Sequence, residues 1–172
     1  MRSSLCSVLV ALLEQYAKHP NALLMSHFTL SIDVAGPVVN AGVAVSEGRR
    51  NALAAAGQAI PAMQYIRALV DTGASFTSID PQVLAALNLT PTGTIEIVTP
   101  STGHGTHTTD TYDVDFTIGA GPADTPLVIP NLRIAASELF LRQGIHALIG
   151  RDIMQRCILI YNGEMNWFTI SF

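Results

Sequence analysis

From residue 27 onward the chain is written in short runs whose apolar side chains recur at every second position, most of them closed by glycine, proline or asparagine. Successive side chains of a strand point to opposite faces, so such a run describes a half-buried β-strand and fits no helical period. Phe28, Leu30, Ile32 and Val34 alternate in this way, and after Gly36-Pro37 a second β-rich run covers 38–45. Further strands are predicted over 65–70, over 94–98, through Tyr112, Val114, Phe116 and Ile118, and over 127–134, 147–149, 158–161 and 167–172. Asn162-Gly163, between the last two, signals a hairpin turn. Helical signals are few. Asp80 suits an N-cap and Pro81 the first helical position, with Val83, Leu84 and Leu87 facing inward. One helical turn is expected over 137–142 and a short C-terminal helix over 151–156, while 46–63 reads as an Ala-rich surface excursion with a helical turn. Many closely spaced short strands with so few helices predict a mostly-β domain, closed or barrel-like.

A chain of 172 residues is the size of one domain and buries enough surface to need no disulfide or metal staple. With 49% hydrophobic and only 13% charged residues, disorder is excluded. The net charge of −4 and a single lysine, Lys18, exclude attraction to a phosphate backbone, so no nucleic-acid partner is expected. So sparse a charge leaves apolar surface to be covered by small polar groups or by another chain. Cys6 and Cys157 lie far apart without metal-ligand spacing and read as unpaired thiols in a reducing compartment, which makes cytoplasmic the expected location. Residues 1–25 are expected to form an extension ahead of a domain over 26–172. Leu5, Val8, Leu12 and Tyr16 recur there at helical spacing, an amphipathic helix ending near His19-Pro20. The same stretch read as a signal or membrane-surface segment would instead place the protein in a periplasm or at a membrane, but its apolar run is well short of a span and no small-x-small cleavage site follows.

The sharpest local signal is Leu69-Val70-Asp71-Thr72-Gly73-Ala74-Ser75. An acid at the end of an apolar strand lies against a core, where a lone carboxylate is costly unless hydrogen-bonded. Thr72 and Gly73 supply a hydroxyl and a turn through which backbone N–H groups can reach it. Taken alone, the same residues also describe an ordinary Asx-turn closing a strand. About eighty residues later comes Ala147-Leu148-Ile149-Gly150-Arg151-Asp152, an apolar strand, a glycine and a helix.

Together these two segments resemble the retropepsins, the retroviral-type aspartic proteases, and in particular their bacterial single-domain relatives. The resemblance covers 65–172. It implies the acid-protease fold, a retropepsin-like closed β-barrel with one domain per chain, in which two ψ-shaped loops lie side by side. Asp71 is then the catalytic acid, supported by Thr72, Gly73 and Ala74, and Leu148, Ile149, Gly150, Arg151 and Asp152 form the second loop. Aspartic proteolysis uses two carboxylates that share one proton. The chain holds one Asp-Thr-Gly, so the resemblance implies a two-fold homodimer with Asp71 facing its symmetry mate. It also implies an intersubunit sheet, a role carried onto Trp167, Phe168, Thr169, Ile170 and Phe172, and a hydroxyl of Thr72 bonded across the dimer. Ser101, Thr102, Gly103, His104 and Gly105 stand where a mobile flap closes over an extended peptide substrate. No metal and no cofactor are implied.

Two departures from the family pattern stand out. Ser75 replaces an acid that often pairs with the arginine of the second loop, so Arg151 is expected to pair with Asp152 or with backbone carbonyls. Ala74 offers no hydroxyl to the outer oxygen of Asp71. His104 and His107 lack a third metal ligand, and no Gly-x-Ser-x-Gly surrounds Ser75, which speaks against a serine triad. A retropepsin-fold dimer that captures a peptide or partner without cleaving it is the alternative function. The Ala-rich 46–63 segment is also a candidate cover for the cleft.

Overall fold

The computed structural model describes residues 26–97, 106–119, 125–139 and 144–172. The expected N-terminal helix, the flap over 101–105 and most of the turn over 137–142 lie outside these; residues 137–139 are not helical. Ten strands and three short helices follow in the order β1 (His27–Ser31), β2 (Val38–Val45), α1 (Glu47–Ala55), β3 (Gln64–Val70), β4 (Ser78–Ile79), α2 (Pro81–Ala86), β5 (Gly93–Ile97), β6 (His107–Gly119), β7 (Leu127–Ala136), β8 (Ala147–Ile149), α3 (Arg151–Met154), β9 (Ile158–Asn162) and β10 (Trp167–Ser171).

Seven strands form one sheet in the order β2-β3-β8-β4-β7-β6-β5, and a further pairing of β2 with β6 closes six of them into a barrel. β5 hangs on β6 outside the ring. Inward side chains alternate as the sequence pattern demands: Val114, Phe116 and Ile118 of β6 are fully buried, as are Val43 of β2, Ala68 of β3 and Ala147 of β8. A bulge at Val114/Phe116 lets β7 carry one extra residue. Asn131 there adopts a φ of 50°, and its N–H donates to Asp115 Oδ1 at 3.0 Å.

β10 is the middle strand of a second, three-stranded antiparallel sheet in the order β1-β10-β9. Its Phe168 and Ile170 reach the same core as the barrel. This bears on the interface role expected of 167–172. Both hydrogen-bonding edges of β10 are taken within the chain, by β1 (Leu30↔Phe168) and by β9 (Trp167↔Asn162). A partner strand therefore has no free edge on Trp167, Phe168, Thr169 or Ile170; the ring of Phe172 instead packs edge-on against Phe28 at 6.0 Å. The open edges of this sheet belong to β1 and β9.

Several smaller expectations are sharpened. The strand expected to reach Val34 stops at Ser31, because Asp33 and Gly36 close a tight turn with Gly36 at a φ of 114°. The last hairpin is not turned by Asn162-Gly163 alone. Asn162 pairs Trp167, leaving a four-residue loop in which Asn162 Oδ1 accepts from Met165 N at 3.0 Å and Asn166 takes the left-handed conformation. The 46–63 excursion is helical over α1. It is pinned to the barrel wall by Leu53, which is buried, and by an Arg50–Asp115 ion pair at 2.9 Å.

Candidate active site

Parallel pairing brings the two motifs together. β3 and β8 lie side by side with Ala68 opposite Ala147, Leu69 opposite Leu148 and Val70 opposite Ile149. Over the paired residues both strands are apolar and each buries one face, through Ala68 and Val70 of β3 and through Ala147 and Ile149 of β8. The register ends with Asp71 beside Gly150, and Asp71 N donates to Ile149 O at 3.0 Å. Two segments some eighty positions apart thus leave the barrel at one point.

The loop after β3 folds back on the acid. Gly73 N donates to Asp71 Oδ1 at 2.8 Å and Ala74 N to Asp71 O at 3.2 Å. A Cβ at residue 73 would lie 3.0 Å from that same carboxylate oxygen, a tight contact that Asp71 could relieve only by shifting. One oxygen of Asp71 is held by a backbone N–H while the half-exposed carboxyl still faces open space. That space is a cleft of about 590 Å³, with Asp71, Gly73 and Ala74 on one side, Leu148 beside them, and Glu96 and Ile97 of β5 among its other walls. Phe76 and Ala135 also line a neighbouring cavity of about 280 Å³. Nothing from 46–63 lines the cleft, which corrects the expectation that this segment covers it.

The second loop braces the first. Arg151 donates through Nη1 to Thr72 O at 3.1 Å and Gly73 O at 3.3 Å, and through Nη2 to Ser75 Oγ at 2.7 Å. Backbone carbonyls were one of the two expected partners. The other, Asp152, does not pair with Arg151, and the residue standing in place of the missing acid, Ser75, remains a hydrogen-bond partner without charge. In the other direction, Arg151 N donates to Ala74 O at 3.0 Å.

Asp152 has different work. Its Oδ2 accepts from Thr77 N at 2.9 Å, and its Oδ1 accepts from the Thr77 hydroxyl at 2.8 Å and from Ile153 N at 2.9 Å. Thr77 Oγ1 in turn accepts from Gly150 N at 3.1 Å. Thr77 is completely buried and was not singled out in the sequence. Neither was β4, the two-residue strand that follows it and packs between β7 and β8. Two residues are too few to show a period; the available signal was a threonine just ahead of a buried Ile79 and a capping Asp80. Asp80 does cap α2, accepting from Gln82 N at 2.9 Å, and it also accepts from Leu139 N at 3.3 Å.

Among the described residues no group of three or more His, Cys, Asp or Glu side chains is disposed to hold a metal, and no helix is long and apolar enough to cross a membrane. The site is therefore an acid at a strand end, cradled by a glycine turn, buttressed by an arginine-bearing second loop and open to a peptide-sized cleft.

Comparisons with known proteins agree with this geometry. No curated protein matches the chain in sequence. Among solved structures, the crystal structure of a retropepsin-like aspartic protease from Rickettsia conorii superposes with a TM-score of 0.51 at 11% sequence identity, covering 86% of this chain and 92% of that one. At so low an identity the likeness concerns the fold, and the closed barrel described above is the retropepsin-like fold. A family model described as aspartyl protease matches residues 57–153, a stretch that contains both loops and more than half of the chain. On that match, and with both loops meeting at one cleft, this chain belongs to the aspartyl protease family.

Proposed function

We propose that the protein is a homodimeric aspartic endopeptidase whose dyad is Asp71 and the partner's Asp71. The observation that carries this reading is the Asp71 carboxyl, half-exposed on the cleft with one oxygen held by Gly73 N–H. A single chain supplies one such acid; Asp152, the nearby alternative, is committed to Thr77 and Ile153. Two-fold symmetry supplies the second.

In the reaction a water lies between the two carboxyls, one ionised and one protonated. The ionised carboxylate takes a proton from the water as its oxygen bonds to the scissile carbonyl carbon. The protonated carboxyl gives its proton to the carbonyl oxygen, yielding a gem-diol. Collapse of the diol then breaks the C–N bond; the leaving nitrogen receives the proton that the first carboxylate acquired, and a hydroxyl proton returns to the other. Arg151 and Gly73 act by positioning: they keep the Asp71 loop rigid, so little reorganisation is needed as charge moves. An extended peptide lies in the cleft, and the flap expected over 101–105 would close on it.

The test is a mixing experiment. The wild type is expected to cleave members of a peptide pool at mildly acidic to neutral pH, to sediment as a dimer, and to lose turnover with Asp71→Ala or a pepstatin-type inhibitor. When inactive Asp71→Ala chains exchange with wild type at equal amounts, activity falls to about a quarter of the undiluted value if every working site needs two acids. A fall to only about half would mean that each chain works alone. A wild type that dimerises and binds peptides but never cleaves them is a binding module instead.

A further inference from the structure

We infer that Glu96 selects substrates, admitting a lysine or arginine side chain to one subsite of the cleft; this rests on the peptide-cleaving reading above. Glu96 belongs to β5, paired with Thr108 of β6, and lines the same cleft as Asp71. No hydrogen bond or ion pair engages its carboxylate among the described residues. A carboxylate facing a peptide site without a partner is a ready acceptor for a cation.

The rest of the lining sharpens the choice. Among the described residues its walls are apolar (Phe76, Ile97, Leu148) or small and polar (Ser78, Ser137), and none of them is a lysine, arginine or histidine. Arg151 of the second loop turns its guanidinium to Thr72 O, Gly73 O and Ser75 Oγ. Arg133 of the neighbouring cavity is paired to Asp113 at 3.1 Å. Among the described residues, Asp71 and Glu96 are therefore the charges that line the cleft, both negative. Glu96 is exposed to solvent at the cleft, so its pairing with an ammonium or guanidinium group is screened and modest, while its charge disfavours an acidic side chain in the same place. The long stem of lysine or arginine packs on the apolar wall while its head reaches the carboxylate.

Paired peptides that differ only by lysine against norleucine, with the substituted position moved along the peptide, read this out as a ratio of kcat/KM. At one position the wild type is expected to favour lysine by about 2- to 5-fold, the range of one solvent-exposed ion pair. In Glu96→Gln that ratio falls to near unity, and in Glu96→Lys the same position prefers glutamate. A ratio unchanged in Glu96→Gln, or no position at which the wild type favours lysine, overturns the assignment. If the wild type cleaves none of the peptides, the proteolytic reading fails, and the ratio of dissociation constants for the same pairs, measured by fluorescence anisotropy, decides the role of Glu96 in its place.

Discussion

Replacing Thr77 by valine removes one oxygen atom from the place where the two loops are joined. The side chain is completely buried, and valine fills almost the same volume, so no cavity forms and the effect is polar in origin. Two bonds are lost. The hydroxyl no longer donates to Asp152 Oδ1, at 2.8 Å in the wild type, and a bond to a carboxylate contributes about 1.5–3 kcal/mol. Gly150 N, which donates to the same hydroxyl at 3.1 Å, faces a methyl group instead, and a stranded buried N–H costs about 1–3 kcal/mol. Asp152 keeps its bonds from Thr77 N and Ile153 N, so the carboxylate itself is not orphaned. The expected loss is about 2.5–6 kcal/mol, a substantial part of the 5–15 kcal/mol typical of a domain. For a chain of this length that lowers the melting temperature by about 5–24 °C. Urea unfolding and calorimetry at one fixed protein concentration measure it, beside Thr77→Ser, which keeps the hydroxyl and gives up a methyl worth about 1 kcal/mol. Should the valine variant lie within about 0.5 kcal/mol of wild type, or the serine variant be as unstable as valine, the hydroxyl is not the brace described here.

Gly150→Ala would place a Cβ 2.5 Å from Phe76 C and 2.7 Å from Phe76 O, backbone atoms that move only if the whole 71–77 loop moves; we expect the variant to lose at least about 3 kcal/mol, read in urea, and a near-neutral result would contradict the packing. Arg151→Met removes three solvent-facing hydrogen bonds from the Asp71 loop; stability should change by less than about 1 kcal/mol while kcat per titrated active site drops by about tenfold with KM little moved, whereas a larger loss of stability, or a full kcat per titrated site, would point to misfolding rather than positioning. Burial pushes the Cys157 thiol up, against a smaller opposing pull from Arg156. The folded state thus holds its proton more tightly than the unfolded chain, so stability is full below the unfolded thiol's titration and declines as pH rises through it and on to the folded value. In a Cys6→Ser background, alkylation of Cys157 at mildly alkaline pH should be slower in the folded protein than in urea, and equal rates would refute the shift.

Much of the site was legible in the chain itself because its physics is local. An apolar strand running into Asp71-Thr72-Gly73 dictates a carboxylate at a core edge with a glycine turn able to reach it, and Gly73 N–H does so at 2.8 Å. Asp80-Pro81 dictates a helix start, and Asp80 caps α2. Alternation through Tyr112, Val114, Phe116 and Ile118 marked β6, which presents one face to the barrel interior over enough residues to be read, and β-rich composition marked the run that forms β2. What only the tertiary structure decided are partnerships between distant segments. The alternation of 167–172 is the same for an edge strand as for a central one, and pairing alone shows that β1 and β9 occupy both sides of β10. Thr77 carries no signature, since a hydroxyl becomes a brace only when the fold sets Asp152 and Gly150 on either side of it. Glu96 sits on β5, and only the pairing of β5 with β6 brings it to the cleft that Asp71 also lines. Side-chain pattern depends on which face of an element is buried, whereas the choice of neighbour depends on register and closure summed over the whole sheet.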